Sequence, residues 1–115
     1  MAESITIYQS TLIGGTSYSP VYDLGNTKEL VLFSRIDDWA GTGTLTLTIQ
    51  HSNDGVNWLT KGTIDFDAVD ETETTSYSSG LMEKLRIKAT PDPLPWEVEG
   101  VKAVLTLSAL LRTGN

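Results

Sequence analysis

From Thr44 to Gln50 polar and apolar side chains alternate without a break, with Leu45, Leu47 and Ile49 on one side and Thr44, Thr46, Thr48 and Gln50 on the other. Successive side chains of a strand point to opposite faces, so this run predicts a half-buried β-strand. It flows into Ser52-Asn53-Asp54-Gly55, and Trp58 follows three residues beyond the glycine. Glycine accepts positive φ at no steric cost and Asp tolerates it through local hydrogen bonds, so Asp54-Gly55 predicts a tight hairpin reversal. Trp58 reads as the plug packed over that turn.

The same reading places strands near residues 4–12, 21–22, 29–36, 57–66, 73–77, 84–90 and 101–111. Gly14-Gly15, Gly25-Asn26, Gly41-Thr42-Gly43, Ser78-Ser79-Gly80 and a proline-rich run from Pro91 to Pro95 punctuate them. No stretch holds helical spacing for long. About eight short strands with such punctuation predict an all-β fold, an antiparallel β-sandwich or jelly-roll-like single domain over residues 1–115.

Two strands depart from simple alternation. Leu30, Val31, Leu32 and Phe33 are consecutively apolar, as in a central strand covered on both faces or lying beneath a partner. In the last strand Val101, Ala103, Leu105, Leu107 and Ala109 form one face, while Val104 and Leu110 put apolar surface on the other. That second face is available to another subunit. Pro91, Pro93 and Pro95 rule out a regular central strand from Pro91 to Glu99, so this stretch reads as a long loop carrying Trp96. Residues 10–19 are rich in Ser, Thr and Gly, which is compatible with an extended arm over residues 1–19.

Fifteen acidic against eight basic residues give a net charge of −7. That balance opposes phosphate backbones and anionic membrane surfaces, so neither nucleic acid nor a membrane is an expected partner. Lys84, Arg86 and Lys88 recur at strand period and read as a solvated strand face. The chain has no cysteine, which removes disulfides and thiolate chemistry.

Candidate chemistry is thin. His51-Ser52-Asn53-Asp54 holds the residue types of a hydrolytic triad, but strand neighbours diverge whereas triads converge in space. His51, the only histidine, reads as a surface or turn residue. The acidic group Asp65, Asp67, Asp70, Glu71 and Glu73 lacks the spacing of a calcium loop and reads as a solvated loop. Asp37-Asp38-Trp39 brings acids beside a sugar-stacking ring, yet adjacent acids cannot face each other across a glycosidic bond. The expectation is a non-enzymatic protein with no metal and no cofactor.

The pattern Leu47-x-Ile49-Gln50-x-Ser52-x-Asp54-Gly55-x-x-Trp58, with Leu85-Arg86-Ile87-Lys88 further on, resembles small β-sandwich virion proteins of tailed bacteriophages. The resemblance implies a structural protein of the virion, made in the bacterial host cytoplasm. A capsid decoration or cement protein fits best, binding the major capsid protein lattice, itself as a homo-oligomer such as a trimer, or both. The same Ser-x-Asp-Gly-x-x-Trp core recurs in discoidin-like carbohydrate-binding modules, which keeps a sugar-binding reading through Trp39 as an alternative. A tail or baseplate component is a third. The expected contacts are Trp96, Val104, Leu110, Leu12 and Trp39, with Asp54, Gly55 and Trp58 as a structural turn.

Overall fold

The alternating run of residues 44–50 becomes β5 (Thr44–Ser52), and the Asp-Gly signal joins it to β6 (Leu59–Phe66) in the same sheet. The computed structural model describes residues 2–41, 43–67, 72–92 and 102–113. The remaining strands are β1 (Ala2–Ile13), β2 (Ser17–Tyr18), β3 (Tyr22–Asp23), β4 (Thr27–Ala40), β7 (Thr72–Tyr77), β8 (Lys84–Asp92) and β9 (Lys102–Thr113). One sheet has the order β1-β9-β4-β7; the other runs β2-β8-β5-β6, with β3 also pairing β8. All pairings are antiparallel. Among the described strands, from β3 onward successive strands lie in opposite sheets except β5 and β6. That is jelly-roll connectivity, as the strand count and punctuation predict.

The inner faces supply one continuous core. Leu30, Leu32 and Ile36 of β4 and Ala103, Leu105 and Leu107 of β9 meet Leu45, Leu47 and Ile49 of β5 and Leu85, Ile87 and Ala89 of β8, all fully buried. The two middle strands of each sheet therefore carry most of the apolar burial, and truncating one of these leucines to alanine costs ~2–5 kcal/mol.

Tyrosines close both open sides of the sandwich. On one side the Tyr8 hydroxyl of β1 donates to the Ile87 carbonyl at 3.3 Å, and the Tyr22 hydroxyl of β3 donates to the Thr6 carbonyl at 3.2 Å. Burial pushes the Tyr8 phenol above its usual pKa. On the other side Tyr77 of β7 lies against Gly62 of β6.

Several sequence expectations change. The N-terminal segment does not project as an arm: Ala2–Ile13 is an edge strand paired along β9. Two register shifts, after Thr6 and after Tyr8, turn Ile7 and Tyr8 inward together, which blurs the alternation. Pro91 is the buried penultimate residue of central β8, not loop. β2 reaches only as far as Ala89, so one side of β8 asks for no ladder donor at Pro91. β4 is central in its sheet but covered on one face alone, because Phe33 is 44% exposed.

Candidate docking surfaces

The Asp54 turn is a loop built on one carboxylate. Asn53 to Trp58 separate β5 from β6, so the reversal is wider than a two-residue hairpin. The Asp54 Oδ1 accepts the backbone N–H groups of Val56 and Asn57, both at 2.8 Å, and its Oδ2 accepts the Asn57 amide at 2.8 Å. The Ser52 hydroxyl donates to Asp54 Oδ1 at 2.9 Å and accepts from Gly55 N at 2.9 Å. Gly55 takes φ +77°, the left-handed value that the glycine signal predicts. The bonds from Asn57 and Val56 hold the Asp54 carboxyl well below the usual carboxylate range.

His51 is buried, which corrects its surface reading. Its Nδ1 accepts the Met82 N–H at 3.4 Å, tying the segment before β8 to the end of β5. Burial, with a smaller contribution from the Lys61 charge, lowers its pKa. Ser52 and Asp54 are spent on the loop and His51 on Met82, so the three do not converge on one point. Among the described residues no cluster of three or more His, Asp and Glu could hold a metal ion. The Asp65 carboxylate accepts the Thr46 hydroxyl at 2.6 Å; Asp70 and Glu71 lie outside the described residues.

Two outer faces remain. On the four-stranded sheet, cross-strand rows read Leu12–Val104–Asp37, Thr6–Ser108–Phe33–Thr74 and Ser4–Leu110–Val31–Ser76. Leu12 is 65% exposed, while Val31, Val104 and Leu110 are half-buried. A shallow depression between the apolar ends is lined by Phe33, Arg35, Thr72, Thr106 and Ser108. Arg35 Nε pairs with Asp37 at 3.0 Å on this face. Val104, Leu110 and Leu12 therefore share one surface, joined by Val31 and Phe33 of β4.

The outer face of the other sheet is ordered around Arg86. Its guanidinium lies 4.3 Å from the Trp58 ring centre and 4.7 Å from that of Tyr18, and its Nε donates to Gln50 Oε1 at 2.7 Å. Trp58, expected over the turn, thus stacks on a β8 cation, and the group links residues of β2, β8, β5 and the approach to β6. Lys84 pairs with Asp23 at 2.6 Å. Trp39 packs partly buried against the core with its indole N–H on the Gly41 carbonyl at 3.1 Å, apart from the apolar rows. Trp96 lies outside the described residues.

No protein-family profile matches the sequence, and no curated protein matches it. Solved structures do resemble the fold. SPBc2 prophage-derived protein YomS superposes with a TM-score of 0.57 at 11% identity, over 96% of this chain and 92% of that one. PBSX exported protein XepA superposes with a TM-score of 0.58 at 14% identity, over 100% of this chain and 38% of that one. The likeness is one of fold, shared with phage-derived proteins.

Proposed function

We propose that this chain is a non-enzymatic structural protein of a bacteriophage virion, a decoration protein that docks on the assembled head through the outer face of its four-stranded sheet. The observation that carries the reading is the composition of that face. Leu12, Val31, Phe33, Val104 and Leu110 stand among Thr and Ser hydroxyls, with Phe33 44% and Leu12 65% exposed on an otherwise strongly acidic protein. Apolar anchors set among hydroxyl groups, with the Arg35–Asp37 ion pair at their margin, suit a protein interface better than solvent. Folds shared with two prophage proteins support the phage setting.

The mechanism is mass action: a protein that binds the assembled shell and not its dispersed subunits stabilises the shell by its binding free energy. The test is co-sedimentation with heads assembled without this protein. Saturable binding is expected, and Phe33→Asp should abolish it while leaving the thermal midpoint nearly unchanged. Wild-type protein that stays in the supernatant would overturn the reading, and retention on tails alone would move it to a tail or baseplate component.

A further inference from the structure

Three of the four sandwich edges carry devices that obstruct the addition of another strand. β1 has two register breaks against β9, and Ser10 within it takes φ +47°. β2 and β3 are two residues each and are separated by Pro20. β6 is broken in register at Lys61 and turns Asp65 outward. β7 has no register break, no positive φ and no proline, and its single charge is Glu73. Its residues Thr72-Glu73-Thr74-Thr75-Ser76-Tyr77 pair with β4 in one unbroken register, from Arg35 opposite Thr72 to Leu30 opposite Tyr77. Among the described residues its far side pairs with no strand, and a regular edge with a single charge is a template for another strand.

We propose that β7 pairs antiparallel with β7 of a second copy about a two-fold axis through Thr75, joining two four-stranded sheets into one. The register follows from side-chain direction. An axis perpendicular to the sheet keeps outer faces on one side, so a residue can oppose only one of like orientation. Centring on Thr74 would make the two Glu73 carboxylates diagonal neighbours. Centring on Thr75 sets Glu73 opposite Tyr77 of the second copy, whose ring carries Lys61 with its amine 5.6 Å from the ring centre. Lys61 donates to the Ser79 carbonyl at 2.7 Å, and among the described residues neither Lys61 nor Glu73 has an ion-pair partner. The Thr75 register therefore brings an unpaired acid to an unpaired base twice over. It also sets Thr74 opposite Ser76, a favourable hydroxyl pair on the outer face.

This inference stands apart from head docking, although pairing would double the apolar outer face. So short an interface gives weak association, with a Kd on the order of 100 µM. Sedimentation velocity on the full chain across that range should show the mass rising from one chain toward two. Glu73→Lys and Lys61→Glu should each weaken association about three- to fivefold by setting like charges together, and the two combined should restore it. A constant monomer mass, a limiting mass of three chains, or a combined variant no tighter than either single one would overturn the proposal.

Discussion

Gly62 of β6 and Tyr77 of β7 occupy one space: a methyl group on Gly62 would overlap the Tyr77 hydroxyl. The two residues belong to different sheets, and glycine is required here for room, since the ring fills the site a side chain would take. Gly62→Ala should therefore destabilise by about 1–3 kcal/mol, the usual cost of overpacking. Tyr77→Phe removes the oxygen that clashes first, so adding it to Gly62→Ala should recover part of the loss. Urea unfolding of the two single variants and their combination reads this non-additivity directly.

The Arg86 guanidinium lies over two aromatic rings, those of Trp58 and Tyr18, and hydrogen-bonds Gln50. Arg86→Ala and Trp58→Ala should each destabilise, and a double-mutant cycle should return a coupling energy of about 0.5–1 kcal/mol. Arg86→Lys keeps the charge but loses the planar stack and should recover little of it. A coupling indistinguishable from zero would mean the stack is incidental.

Asp54 links loop geometry to acid stability. Its carboxylate is ionised in the fold far below the usual range, so its contribution is complete above the unfolded value of about 4 and is lost as pH falls through the lower folded value. Asp54→Asn should lower the thermal midpoint at pH 7. The gap between variant and wild type should narrow steadily as the pH is taken below about 4. Paired melts at pH 7 and pH 3 provide the comparison.

His51 acts with the same sign in a higher window. Its pKa is depressed because burial disfavours the charged ring, so its contribution holds above the unfolded value of about 6.5 and fades as pH falls through the folded one. Protonating Nδ1 would also displace the Met82 N–H it accepts. Stability should drop on acidification below about pH 6.5, and His51→Gln should remove that step. NMR titration of the imidazole checks the direction of the shift.

Residues 44–50 and the Asp54-Gly55 signal were sufficient to place β5, β6 and the reversal between them. Strand-like runs and the turn residues between them likewise located β4, β7, β8 and β9, together with the inward row Ala103, Leu105, Leu107, Ala109 and the outward Val104 and Leu110. These features are local, because they follow from the two-residue period of a strand and from the positive φ that glycine accepts. Other features were hidden for a reason of the same kind. β2 is too short to show a period, the shifts in β1 hide that Ile7 and Tyr8 both turn inward within a strand otherwise placed at residues 4–12, and a buried Pro91 is tolerable only because β2 stops short of it.

What the tertiary structure alone decided is which strands meet. Among the described residues, β5 to β6 is the one connection between long strands that stays within a sheet; the others cross the sandwich, so sequence neighbours part and distant strands pair. The Arg86 stack joins residues as far apart as Tyr18 and Trp58, and Tyr77 finds Gly62 only because β7 closes over β6 from the opposite sheet. Period and turn chemistry act over a few residues and determine each strand and its buried face. Partners, edges and outer surfaces depend on how both sheets bury their apolar sides against each other, which no local pattern encodes.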